Sequence, residues 1–210
     1  MKFRSAKCWR ISTLGDKGSI LDIVAHGALG AVLFSRSGVL GLMCRRYRIP
    51  AERSKKFDWT IAVAFFAGII PDFFSFGFYA VQRVVNSNYV FGPPGLKTIP
   101  SYVFQSYTIT HSMLTALAGV LICAIIFKSV WPAMLAWPLH ILCDIPLHSK
   151  AYFPTPFLYP FSDWVVDGFP LVKELWVAAG YWMIIILICA FVHLHHVVIK
   201  WRKLYRPGKG

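Results

Sequence analysis

The chain has 210 residues, 57% of them apolar and 15% charged, whereas soluble domains carry about 25% charged residues. The apolar residues are gathered into long runs, which excludes a water-soluble globule. The formal charge of +13 would point to nucleic acid in a soluble protein, but the Lys and Arg residues crowd the ends of apolar runs, where membrane proteins use them to set orientation and meet anionic lipid, so no nucleic-acid partner is expected.

A helix needs about 20 mostly apolar residues to cross about 30 Å of hydrocarbon, and several runs reach that length. The expected fold class is all-α: a polytopic membrane helix bundle of about five transmembrane helices, forming one domain over 1–210. Residues 1–18 are a basic N-terminal tail without the apolar core and small-residue cleavage site of a removable signal peptide. The first span covers 21–43, with His26 near its start and Arg36 towards its end. A basic loop, 44–58, carries Arg45, Arg46, Arg48, Arg53, Lys55 and Lys56. The second span, 59–81, is interrupted by Pro71-Asp72, and residues 82–107 read as a polar loop containing Gly and Pro. The third span, 108–127, opens with Thr110-His111-Ser112, and a short turn leads to a fourth at 131–145. Aromatic residues and prolines fill 146–175, the last span covers 176–199, and 200–210 is a basic tail.

With five spans the termini face opposite sides. The side holding the 44–58 loop, Lys128 and the C-terminal tail has twelve Lys and Arg, against nine on the other, which favours a cytoplasmic C-terminus. The five cysteines (Cys8, Cys44, Cys123, Cys143 and Cys189) show no CxxC spacing, so neither a zinc ribbon nor a redox role is expected.

Ionisable groups inside apolar spans are expensive and mark functional sites by default. Here they are His26, Asp72, His111, His140 and Asp144, with His148 just beyond. In an up-and-down bundle the helix ends that carry them face the same side of the membrane, so one shared site is expected. His and carboxylate donors together suit zinc, with iron or manganese as alternatives. The interval His140-x3-Asp144 puts both side chains on one helical face, about 6 Å apart at Cβ. Asp144-x3-His148 repeats it, but Pro146 is expected to end the helix between them. Asp22, four residues before His26, is either a further ligand or a group that orients the imidazole.

A metal-activated water at such a site would hydrolyse an ester or phosphoester, with His148 or Asp163 moving protons and Thr110 and Ser112 offering hydroxyls to a substrate oxygen. Serine as nucleophile is the weaker idea, since no GxSxG elbow is present. The aromatics Tyr152, Phe153, Phe157, Tyr159, Phe161 and Trp164 fit an interfacial belt or a grip on a lipid.

The order His26, Pro71-Asp72, Thr110-His111-Ser112, His140-x3-Asp144 and the Tyr-Phe…Pro-Phe-Ser segment, over about 22–163, resembles the LexA-binding, inner-membrane-associated hydrolase family of YdjM type. Its members are bacterial multi-pass membrane proteins regarded as metal-dependent hydrolases, so the resemblance implies an inner-membrane location and that activity. The chain departs from the family where His-Arg often precedes Thr-His-Ser, since Thr108 and Ile109 stand here, and where a second acid often follows Pro-Asp, since Phe73 and Phe74 follow. The ligand order is also distantly similar to that of zinc-dependent phospholipase C and nuclease P1. Their later His-x3-Glu pair has no counterpart, because no His stands four residues before Glu174, and one or two ions are expected rather than three.

The expected function is a membrane-embedded metal-dependent hydrolase, with membrane lipids as partners and a lipid as substrate, its metal held by His26, Asp72, His111, His140 and Asp144 at the periplasmic face. Two other readings stand beside it, the first using the same His and Asp residues and the second the basic loop. A metal or proton transporter would need a path through the inner half of the spans, where only Arg36 is ionisable. A non-enzymatic adaptor would bind a cytoplasmic protein through the basic residues of 45–56.

Overall fold

A computed structural model of the protein describes residues 15–44, 46–47, 57–86, 95–128, 130–169 and 175–205. The described residues are helical and contain no strand. The basic loop expected to meet a cytoplasmic partner lies mostly outside them, as do the tip of the 82–107 loop and most of the N-terminal tail; of the expected C-terminal tail, residues up to Tyr205 are described and continue the last helix.

Helix α1 (Gly15–Phe34) is followed by a bend and a single further turn, α2 (Val39–Met43). The chain then enters α3 (Trp59–Asp72), capped by Asp58, whose carboxylate accepts from the Thr60 amide. The same carboxylate accepts from the Ser37 amide at 2.9 Å and the Ser37 hydroxyl at 2.7 Å, which ties the end of α1 to the start of α3. With the Thr60 hydroxyl as a fourth donor, this buried acid is satisfied.

Small residues let α1 and α3 cross at close range. A Cβ on Gly30 would lie 2.8 Å from the Ala64 carbonyl oxygen and 2.7 Å from the Ala136 Cβ, and one on Gly68 would lie 2.6 Å from the His26 carbonyl oxygen. In lipid no hydrophobic force draws helices together, and such close backbone packing takes its place.

The second span is not interrupted at Pro71-Asp72. Beyond α3 the chain passes through a π-helical turn (Phe73–Gly77) into α4 (Phe78–Val85), and 27 residues, Trp59–Val85, form one apolar span. Proline removes one backbone donor and crowds the preceding turn; the helix continues through it and a π-turn follows, a feature frequent at functional sites, and side chains serve the Pro71 carbonyl. Thr110 Oγ1 donates to it at 3.1 Å, and Ser75 Oγ donates to it as well.

The third span begins earlier than expected and is broken. α5 (Ser101–Thr110) and α6 (Met113–Ile126) meet at a 61° bend. His111 ends the first helix, and Ser112 caps the second by accepting from the Thr115 amide. The break is held from outside: Trp137 Nε1 donates to the Thr110 carbonyl at 2.9 Å, and Ser112 Oγ donates to the Tyr159 carbonyl at 2.6 Å.

A 3-10 turn (Trp131–Leu135) leads into α7 (Ala136–Leu147). α7 is short for a membrane span, and its Ala136, Pro138, His140, Ile141 and Asp144 are buried in protein. Pro146 does not end it; the helix runs one residue further, to Leu147, with His148 as its cap. The segment 149–169 folds back over this end, where the Gly168 and Phe169 amides donate to the His148 and Pro146 carbonyls, each at 2.8 Å. α8 (Leu175–Tyr205) lies on the outside, with Ile184, Ile186, Leu187, Phe191 and Leu194 more than half exposed. Apolar exposure on this scale is that of a surface in contact with lipid. Among the described residues three helices are long and apolar enough to cross a membrane, and four if the bent pair is one span, against about five expected; the fifth expected span corresponds to the short α7.

Candidate metal centre

Four helical segments bring the intramembrane ionisable residues to one place. His26 comes from α1 and Asp72 from the end of α3. His111 stands at the α5–α6 break, and His140 and Asp144 lie one turn apart on α7. Asp144 is at the centre. Its Oδ1 lies 3.0 Å from His26 Nε2, and its Oδ2 lies 3.1 Å from His140 Nε2 and 3.3 Å from His111 Nε2. Asp72 faces the same pair of rings, with Oδ1 3.6 Å from His111 Nε2 and Oδ2 3.8 Å from His140 Nε2. All five candidate ligands read from the sequence are therefore gathered in one cluster.

The outer nitrogens explain why these rings point inward. His140 Nδ1 is 2.7 Å from the Gly68 carbonyl oxygen, and His111 Nδ1 is 3.1 Å from the Tyr107 carbonyl oxygen. A carbonyl accepts only, so each Nδ1 carries the proton. In the neutral ring Nε2 is then an unprotonated lone pair. These two Nε2 atoms face each other at 3.3 Å, a repulsive arrangement for two lone pairs unless a cation or proton lies between them. His26 is held by its Nδ1 to the Tyr181 hydroxyl of α8, at 3.1 Å. An imidazole anchored at its outer nitrogen, with the inner one free, is the arrangement of metal-ligating histidines.

Asp22 settles between its two expected parts. Its Oδ1 lies 3.3 Å from His26 Nε2, the inner nitrogen, so it faces the cluster as a further donor and does not orient the ring from behind. Asp22 Oδ1, His26 Nε2 and both Asp144 oxygens are buried without a hydrogen bond of acceptable geometry. Buried polar atoms are nearly always paired, and these are close together yet not aligned to donate to one another. They fit a cation. Two donor groups have all their ligand atoms within 4.8 Å of one another: His26, His140 and Asp144, and Asp72, His111 and His140.

Exposure differs within the cluster. The side chains of His26, His111, His140 and Asp144 are at most 1% exposed, whereas Asp22, Asp72 and His148 reach 11%, 13% and 23%. His148 Nδ1, at 3.7 Å from Asp144 Oδ2, stands at the rim. Tyr107 stacks on His111 with ring centroids 3.8 Å apart and donates its hydroxyl to the Phe153 carbonyl at 2.9 Å. Phe153 adopts φ 48°, a left-handed conformation that costs a bulky residue about 1–3 kcal/mol, and its ring packs on Tyr107. Tyr152 packs on Phe153 in turn. Burial pushes its phenol up to about 12, with Tyr79 adding to the shift and Arg83 opposing it, so it stays neutral and is no base.

Two other expected participants make no hydrogen bond to the cluster's donor atoms among the described residues. Asp163 is exposed, and no contact among the described residues joins it to the cluster. The Ser112 hydroxyl is engaged by Tyr159 and serves as a helix cap. Conversely, sequence reasoning missed Tyr181, the Gly68 and Tyr107 carbonyls, and Thr110 as the partner of Pro71. Only Tyr107, four residues before His111 in one helix, carried a signal of its own.

A family model described as YdjM inner membrane protein matches residues 21–204. Nothing matches the chain among curated proteins or among solved structures.

Proposed function

The chain belongs to the YdjM inner membrane protein family, and from that premise we propose that it is a membrane-embedded metal-dependent hydrolase of ester or phosphoester bonds, with a membrane lipid as substrate. The observation that supports this most is the pairing of His111 and His140, whose outer nitrogens are fixed on carbonyls while their inner nitrogens meet at 3.3 Å beside Asp144. A divalent ion, zinc first by its donor set of imidazole and carboxylate, would polarise the scissile group and acidify a water.

The chain's own residues supply the rest. Asp144, His26, His111, His140 and Asp72 would hold the ion and compensate its charge, which is also what would make burying the two carboxylates tolerable. His148, at the rim with its ring partly exposed, is placed to take or give a proton to a group entering from that side. The Tyr107 ring, held over His111 by Phe153, keeps water from the back of the site. Phe73 and Phe74, which follow Asp72 directly in the chain, have exposed rings, so an acyl chain lying in the bilayer would meet apolar surface next to that residue. The same reading places the site on the periplasmic side and the C-terminus in the cytoplasm, on the distribution of Lys and Arg.

The test is elemental analysis of the detergent-purified protein, never exposed to chelator, beside an Asp144→Ala, His140→Ala double variant, followed by assays on lipid esters and phosphoesters. The expected result is stoichiometric metal and turnover, both lost in the variant. A folded protein without metal, or turnover that survives in the variant, overturns the reading. Function that tolerates the double variant but fails on charge reversal in 45–56 would instead mark an adaptor.

A further inference from the structure

We infer that the cluster is a dinuclear centre in which Asp144 bridges two divalent ions; this rests on the metal-site reading above and deepens it. The argument begins with numbers of donors. Asp22, His26, Asp72, His111, His140 and Asp144 all turn a nitrogen or oxygen inward, more than one four-coordinate ion can use. They also divide. Asp144 Oδ1 faces His26 Nε2 at 3.0 Å, and that nitrogen faces Asp22 Oδ1 at 3.3 Å. Asp144 Oδ2 faces His140 Nε2 at 3.1 Å and His111 Nε2 at 3.3 Å, and both of these nitrogens face Asp72. A carboxylate whose two oxygens address different donor groups has the geometry of a bridge. His140 stands between the groups: its Nε2 also falls within the His26–Asp144 triad, and its ring packs against that of His26 at 4.1 Å.

Charge points the same way. With neutral imidazoles the cluster carries three buried negative charges, from Asp22, Asp72 and Asp144. One divalent ion leaves a buried negative charge uncompensated, which a low-dielectric interior penalises. Two divalent ions leave one positive charge instead. An entering phosphodiester, with its single negative charge, brings the site to neutrality, whereas a carboxylic ester brings none. Paired ions at about 3.5–4 Å are suited to displacement at phosphorus, where attacking and leaving oxygens both need stabilising. The substrate class that fits is therefore the phosphodiester.

The experiment is metal stoichiometry, read independently of activity. Purified full-length chain is depleted of metal, titrated with Mn²⁺, and read by elemental analysis and by electron paramagnetic resonance. Two ions per chain with a spin-coupled signal are expected. His26→Ala should retain one ion and lose the coupling, and His111→Ala should do the same from the other side. One ion per wild-type chain overturns the dinuclear centre and leaves the hydrolase reading standing; no ion in folded chain overturns both. Two ions without coupling would overturn the bridge. The wild-type measurement decides even if a variant fails to fold.

Discussion

His140 on α7 is oriented by the backbone of a different helix: its Nδ1 lies 2.7 Å from the carbonyl oxygen of Gly68 on α3. Gly68 is also where α3 comes so close to α1 that a Cβ would stand 2.6 Å from the His26 carbonyl oxygen. One residue without a side chain thus sets the position of two histidines, one through a hydrogen bond and the other through helix spacing.

Gly68→Ala is therefore expected to disturb the centre while leaving the helices inserted. The methyl group must push α1 away and carry His26 with it. Loss of an anchoring contact behind a metal ligand typically weakens metal binding by about 10–100-fold, and a larger loss is expected here because two ligands move. Titration of depleted protein with Zn²⁺ measures it; unchanged affinity would contradict the role assigned to this crossing.

Tyr181→Phe removes one hydroxyl, the partner of His26 Nδ1 at 3.1 Å, and keeps the ring that packs on the Ala25, Leu29 and Ile185 cluster. Metal affinity is expected to fall about tenfold, with thermal stability changed by no more than about 1 kcal/mol. A variant that binds metal as the wild type does would show that α8 takes no part in the site.

Ser112→Ala separates a cap from a nucleophile. Losing the cap of α6 and the bond to the Tyr159 carbonyl should cost about 1–2 kcal/mol of stability, seen as a lower melting temperature in detergent. Metal stoichiometry should not change. A stability equal to that of the wild type would argue that the 61° break is held by other contacts.

Substrate charge gives a fourth test. Presented with vesicles containing a phosphodiester lipid or a neutral carboxylic ester of the same chain length, the metal-loaded protein should turn over the first at least tenfold faster, about 1.4 kcal/mol in activation free energy. Equal rates would count against a centre with excess positive charge.

The sequence carried the helices and most of the donors, because both have a period or a hydropathy that survives without coordinates. His140 and Asp144 share a face by helical spacing alone. Pro71-Asp72 read as an interruption because proline usually is one, and the π-turn that carries the helix on beyond it has no side-chain signature. The polar residues Gln105 and Ser106 hid most of α5 inside an apparent loop, so His111 was expected at a span's beginning when it stands in a break between two helices. The anchors were the least legible. Gly68 and Tyr107 act through carbonyl oxygens, which every residue has, and Tyr181 reaches His26 from 155 positions away. Asp163 was read by its chemistry alone; it is exposed and has no contact with the cluster among the described residues.

The crossing of α1 and α3 has one more consequence. It is made by backbone against backbone at Gly30 and Gly68, and at its far end the Asp58 carboxylate locks Ser37 to Thr60. None of these contacts involves a metal donor side chain. In small zinc domains the ion is the nucleus of folding and its removal unfolds the chain. Here the ion would enter a socket that already exists, so stripping it should leave the helical circular dichroism signal intact, and reloading should need no refolding.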